Sequence, residues 1–262
     1  MRASIIIPYF ARPRHLQLAL KALALQTISQ NDFEIIVVDD GSPAAACDFL
    51  SKSASIIRTP HRGAAAARNC GIAKAKGNIV IFIDCDIIVE PSFVQNHCNF
   101  HELHLSQVAL GARQHIAPDG KRAQARDTRL KLLSRYNKKL SELRHPWFMT
   151  YTCNVSVPRN MALLEPFDEA INSWGLEDSE WAYRLYKQGC HFTFLESTAC
   201  AHLYHDRTIT DQKFRGWKNN LSYIIKKHPQ LSVLNCFIDV FDPQIHADYF
   251  AAYDKFENMP CG

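Results

Sequence analysis

Two aspartates one residue apart close an apolar run in FIDCDIIVEP, residues 82–91. An uncompensated carboxylate at an apolar boundary is costly, so Asp84 and Asp86 call for a partner. Alternation along a strand turns both side chains to one side and Cys85 to the other. Two carboxylates so placed can hold a hard divalent cation, and that cation can neutralise a diphosphate. Alone the pair is weak, because acids at a strand end more often serve a turn. Its surroundings strengthen it. No G-x-G-x-x-G follows the first apolar run and no G-x-x-x-x-G-K-[ST] occurs anywhere, so phosphate must be held without a glycine cradle.

Other reactive side chains are weaker candidates. His97, His101 and His104 share one predicted helix face and could bind zinc, but HELH is one residue short of the H-E-x-x-H spacing. A polar helix face is expected instead. Ser134 and Cys153 lack a recognisable histidine and acid for nucleophilic work. The nine cysteines are an odd number without a C-x-x-C pair, which predicts reduced, buried, inert thiols.

The acid pair needs strands and helices to hold it. Apolar runs predict strands over 3–8, 34–39, 55–59 and 79–84, with helices over 12–27, 43–51 and 64–76 between them. This alternation is that of a Rossmann-like nucleotide-binding half, in which ligands sit beyond the carboxyl ends of the strands. Three such ends carry PYFAR, DDGS and DCD. Further on, a helix is expected over 92–105, a strand over 108–116, a turn at APDG and a basic helical stretch. Then follow a strand over 148–157, a helix over 177–188, extended runs over 192–195 and 199–204, and a helix over 211–227.

At 262 residues the chain suits one α/β domain, expected over 1–230 with a nucleotide half (1–95) and an acceptor half (96–230). The aromatic-rich residues 231–262 form a C-terminal extension that either packs back on the core or covers an acceptor. Hydrophobic residues make up 47% and charged residues 21%, which excludes a disordered or fibrous chain. No apolar stretch approaches the roughly 18 residues of a membrane span, and a cytoplasmic location is expected. The net charge of +4 gathers between Lys121 and Arg144. That segment reads as a solvated helix face, a seat for an anionic acceptor, or a peripheral membrane contact. No nucleic-acid partner is expected.

In order, SIIIPYFAR, IIVVDDGS and RGAAAARNCGIAKAKGNIVIFIDCD resemble the P-x-Y-x-R, V-D-D-G-S, A-R-N-x-G-I and D-x-D motifs of inverting family 2 glycosyltransferases of the GT-A fold, over residues 3 to about 95. WGLEDSEWAYRLYKQG, residues 174–189, resembles the W-G-x-E-D motif of chondroitin-polymerase-like and polypeptide N-acetylgalactosaminyltransferase-like enzymes. The resemblance implies a GT-A fold with a mixed central sheet. It places Pro8, Phe10 and Arg12 at the nucleotide, with Phe10 where tyrosine is usual and Ala11 where asparagine is usual. It also implies that Asp40 accepts from a uracil imide, that Arg68 reaches the nucleotide, and that Asn69 lies beside it and orients its loop. Gly63 and Gly71 would relieve crowding at the ligand.

Asp84 would meet the ribose or the metal, and Asp86 would ligate the metal. His202 or His205 would add a second ligand, which manganese accepts alongside oxygen. Asp178 would be the general base, with Glu177 binding acceptor or donor sugar, or the two roles exchanged. Trp174 would offer a sugar platform and Gly175 a close backbone approach. The expected activity is inverting transfer from a UDP-sugar, with Mn2+ or Mg2+, to a glycan, lipid-linked or peptide acceptor. A sugar-phosphate nucleotidyltransferase is the enzymatic alternative, but PYFARPRHL lacks its glycines. A catalytically silent carbohydrate-binding protein is the other, and both acid pairs argue against it.

Overall fold

A computed structural model describes residues 1–46, 54–117, 119–121, 123, 127–206 and 208–260. The expected helix over 43–51 falls partly outside the described residues, as do Arg122 and Arg126 of the basic segment. The elements run β1 (Ala3–Tyr9), α1 (Pro13–Leu23), β2 (Phe33–Asp39), β3 (Ser55–Arg58), α2 (Ala64–Lys74), β4 (Ile79–Ile83), β5 (Ile87–Val89) and α3 (Phe93–Leu103). Then come β6 (Gln107–His115), α4 (Thr128–Tyr136), β7 (Asn154–Pro158), α5 (Arg159–Leu164), α6 (Glu177–Lys187), β8 (His191–His202) and α7 (Asp211–Lys227). The chain ends in a 3₁₀ stretch (Pro229–Phe237), α8 (Ile238–Phe241) and α9 (Tyr249–Asn258).

The strands form one mixed sheet in the order β3-β2-β1-β4-β7-β6-β8-β5. The first four are mutually parallel, and β4 meets β7 antiparallel. Consecutive side chains of these strands alternate between two cores. Ile6, Ile36, Val80 and Phe82 face Ala65, Ala67 and Ile72 of α2 on one side. Ile5, Ile7, Val37 and Ile81 face Leu16, Leu20 and Leu23 of α1 on the other. Gly71 belongs to this packing and not to a ligand contact: a Cβ there would lie 2.5 Å from Ile6 Cγ2.

Two expectations need correction. Residues 148–157 do not form one strand: Pro146–Met149 is a 3₁₀ turn and β7 starts at Asn154. Proline sets the turn's φ, and Trp147, Phe148 and Met149 are all buried, which a one-sided strand would not allow. The run over 192–195 and most of that over 199–204 are instead parts of one strand, β8, which ends at His202 and whose pairing with β6 shifts register between Gly111 and Arg113. Residues 231–258 pack inward, and Leu231, Leu234, Phe237, Tyr253 and Phe256 join the same core as Trp181 and Val155.

Candidate active site

Strand order reverses between β1 and β4, and beyond the carboxyl ends at such a switch point is where sheets of this kind form a ligand crevice. Arg12 and Asp86 meet across it, with Nη1 2.8 Å from Oδ2. The short β5 pairs with β8 so that Ile87 lies opposite His202, and Leu203 donates its N–H to the Asp86 carbonyl at 2.9 Å. This pairing brings Asp86, His202 and His205 together, each offering a ligand atom within 4.8 Å of the others. His202 Nδ1 lies 3.1 Å from the Leu203 carbonyl and His205 Nδ1 lies 3.0 Å from that of Asp206. A carbonyl can only accept, so in the neutral rings both Nδ1 atoms carry the proton and both Nε2 atoms carry the lone pair.

Those lone pairs point at a carboxylate: Nε2 of His202 is 3.7 Å from Asp86 Oδ1, and Nε2 of His205 is 3.2 Å from Oδ2. Asp86 Oδ1 is buried without a hydrogen-bond partner among the described residues. Three converging electron pairs with one orphaned oxygen fit a divalent cation of the manganese kind, which takes carboxylate and imidazole together. Asp84 lies outside this set, with its half-exposed carboxylate 3.4 Å from Arg68.

Arg68 on α2 is 4% exposed and reaches a second acid, Glu177 Oε1, at 3.1 Å. Burial works against its charge, but Glu177, Asp84 and Asp178 outweigh it and raise its pKa. Glu177 and Asp178 open α6, where the helix dipole favours acids. The chain enters that helix through Gly175 at φ 86° and Leu176 at φ 75°. Asn220 clamps the entry by donating to the carbonyls of Ser173 at 3.1 Å and Gly175 at 2.8 Å. Asp178 is half-buried, and burial, with Glu177 beside it, pushes its carboxyl up to about 7 while Arg68 pulls it down.

At the other edge of the site, Pro8 is half-buried at the end of β1, and Phe10 is 44% exposed with its ring 4.5 Å from that of His61. His61 gave no sequence signal beyond its place ahead of the A-R-N element. Asp40 holds the following loop: its carboxylate accepts from the backbone N–H of Arg62 at 2.8 Å and of Gly63 at 2.9 Å, with His61 Nδ1 at 2.8 Å. A uracil imide would have to share those oxygens. Asp39 is a buried turn acid that accepts from the N–H groups of Ser42 and Ala46, each at 2.9 Å. Asn69 turns to the loop before α6, donating to the Phe167 carbonyl at 2.9 Å and accepting from the Phe167 N–H at 2.8 Å.

On the far side, Trp174 is 43% exposed and meets Phe241 edge-on at 5.9 Å. The basic segment is no uniform solvated face: Arg129 is fully buried, and Arg135 pairs with Asp254 of α9 at 2.6 Å. His97 and His101 are likewise not a polar surface. Both bond Ser156 Oγ, at 2.7 and 2.8 Å, inside the core, where burial pushes them down to about 3 and 4. Cys153 is a free, buried thiol. Among the described residues no helix is long and apolar enough to cross a membrane.

A sequence relative, validoxylamine A glucosyltransferase of Streptomyces hygroscopicus subsp. limoneus, is 27% identical over 259 residues, covering 87% of this chain and 57% of its own length. The chain thus spans little more than half of that relative. The solved structure of S. aureus TarS 1–349 in complex with UDP-GlcNAc superposes with a TM-score of 0.66 at 17% identity, covering 98% of this chain and 74% of that one. GalNAc-T7 with UDP, GalNAc and Mn2+ gives 0.65 at 16%, covering 99% and 58%. At such identities the likeness is one of fold. The family model described as Glycosyl transferase family 2 matches residues 4–162, well over half of the chain. With that match, the mixed sheet and the switch-point crevice, the chain belongs to glycosyl transferase family 2 and has the GT-A fold.

Proposed function

We propose that the protein is a metal-dependent, inverting glycosyltransferase that moves a hexose or N-acetylhexosamine from a UDP-sugar to a hydroxyl of a glycan. The observation that carries the reading is the convergence of Asp86, His202 and His205 at the switch point, with Glu177 and Asp178 joined to the same crevice through Arg68. UDP and Mn2+ in the GalNAc-T7 structure and UDP-GlcNAc in the TarS structure support donor and metal class.

Asp86, His202 and His205 would hold the cation, which when bound supplies Lewis-acid stabilisation of the leaving diphosphate. Arg12 adds a guanidinium at the same point. Phe10 offers an exposed ring for the base, and Asp84 stands at the ribose. Pro8 and Asp40 shape that pocket, while Asn69 positions the loop that leads to α6. Asp178 takes the proton of the acceptor hydroxyl at a carboxylate oxygen, and its raised pKa makes it a better base than an ordinary carboxylate. Glu177, tied to Arg68, orients sugar and base. Trp174 and Gly175 bound the sugar site. Residues 1–230 carry these groups, and residues of 231–256 complete the core.

Manganese-dependent UDP binding, followed by hydrolysis of a UDP-sugar panel, tests the reading. Binding of UDP only with Mn2+ present and its loss in Asp86→Ala are expected; equal binding with and without metal would refute it.

A further inference from the structure

Beyond the acid-lined crevice, two guanidinium groups face one tyrosine ring in the interior, and one of them is paired with a carboxylate. Arg129 is fully buried, pairs with Asp127 Oδ2 at 2.7 Å and donates to the Gly111 carbonyl at 2.7 Å. Asp127 also accepts from the backbone N–H groups of Arg113 at 3.0 Å and Arg129 at 2.9 Å. Arg113, half-buried on β6, has no ion-pair partner among the described residues. Its Nη1 reaches only Cys153 Sγ at 3.6 Å, and its buried Nε has no acceptor. Its guanidinium carbon lies 4.3 Å from the centre of the Tyr151 ring, and that of Arg129 lies 4.9 Å from the same centre. One carboxylate for two such cations leaves a surplus positive charge where a missing counter-ion is costly.

The cluster adjoins the crevice. Arg113 lies opposite Cys200 as His115 lies opposite His202, and the His115 and His202 rings are 5.2 Å apart. Tyr151 begins the segment whose next residue, Thr152, hydrogen-bonds Asp178 through its backbone. Tyr151 and Tyr249 bring their phenol oxygens to 3.5 Å, and both residues are half-buried. In the sheet β6 stands two strands beyond β4 and directly beside β8, which carries His202.

We infer that Arg113, flanked by the phenols of Tyr151 and Tyr249, receives an anionic substituent of the acceptor, a sugar carboxylate or phosphate ester. Naming the acceptor as its carrier rests on the proposed transferase activity. Guanidinium and phenol donors together match the paired oxygens of such a group.

Calorimetric titration of the full chain with methyl glucuronide, methyl glucose 6-phosphate and uncharged methyl glucoside tests the site. At least one anionic sugar should bind tenfold or more tightly than the glucoside, and Arg113→Gln should erase the difference. Equal affinities in the wild type overturn the inference without any variant, as does an unchanged preference in Arg113→Gln. Competition between UDP and the bound anionic sugar also overturns it, because Arg113 would then serve the donor. Tyr249→Phe, which removes only a hydroxyl, should weaken the anionic sugar several-fold. UDP binding measured on the same samples judges the transferase reading separately.

Discussion

The Arg68 guanidinium meets the Glu177 carboxylate at 3.1 Å, joining α2 to the first turn of α6 across 109 positions of chain. The same side chain reaches Asp84 at the end of β4, so one cation ties both predicted acid pairs together. Removing one partner of a buried pair leaves an uncompensated charge and costs roughly 3–5 kcal/mol. Arg68→Met should therefore lose about that much stability at pH 8 by urea denaturation. The loss should shrink near pH 5, where freed acids can protonate; the same modest loss at both pH values would show that Arg68 does not hold these charges.

Asp178 is the group whose titration should show. Its folded pKa of about 7 lies above the ordinary 3.8, so the fold favours the neutral acid. Between those values the folded state binds more protons than the unfolded one, and stability falls as pH rises through the window. Activity runs the other way, since a base must be ionised: turnover should climb to about pH 7 and then level. Asp178→Asn should flatten the stability slope and become more stable than the wild type at pH 8. Its turnover should drop by roughly 10² to 10⁴ with UDP affinity kept. Full activity in this variant would reassign the base.

The N-terminal half was legible because its strands are short continuous apolar runs, buried on both faces, with helical spacing between them and glycine and proline as punctuation. Period and turn chemistry are local properties, and they sufficed for β1, α2 and β4. The strand over 148–157 misled because its alternation of apolar and polar residues runs through the end of a buried 3₁₀ turn, Pro146–Met149, whose proline lies just outside that range. Asp84 and Asp86 were readable as a pair, yet the structure sends them to different partners, Arg68 and the two histidines. That division depends on β5 pairing with β8, a long-range contact with no local signature. The Arg113 cluster was invisible for the same reason, since its residues come from β6, the segment before β7 and α9.

The C-terminal segment should prove part of the folding unit. Phe237 is fully buried, stacks on Phe148 at 4.8 Å and touches Phe256 at 5.5 Å. Truncating a buried phenylalanine costs about 3–5 kcal/mol when the site cannot collapse. Phe237→Ala should lower stability by that amount, and a chain ending at residue 230 should fail to give a cooperative thermal transition. A truncated chain that melts as sharply as the full one would show the segment to be an appendage.

Arg12 already occupies Asp86 Oδ2 at 2.8 Å, the oxygen that also faces His205. A divalent cation arriving without nucleotide must therefore work against a guanidinium on the same carboxylate. Arg12→Met should bind Mn2+ alone roughly tenfold more tightly than the wild type, a change of about 1.4 kcal/mol. Asp86→Asn should abolish binding, and His205→Gln should weaken it by about 10- to 100-fold through loss of an imidazole lone pair. With UDP added the order should invert, because Arg12 then contributes its charge to the diphosphate. Titration of Mn2+ with and without UDP reads both halves of this prediction. Identical Mn2+ affinity in wild type and Arg12→Met would place the cation away from Asp86.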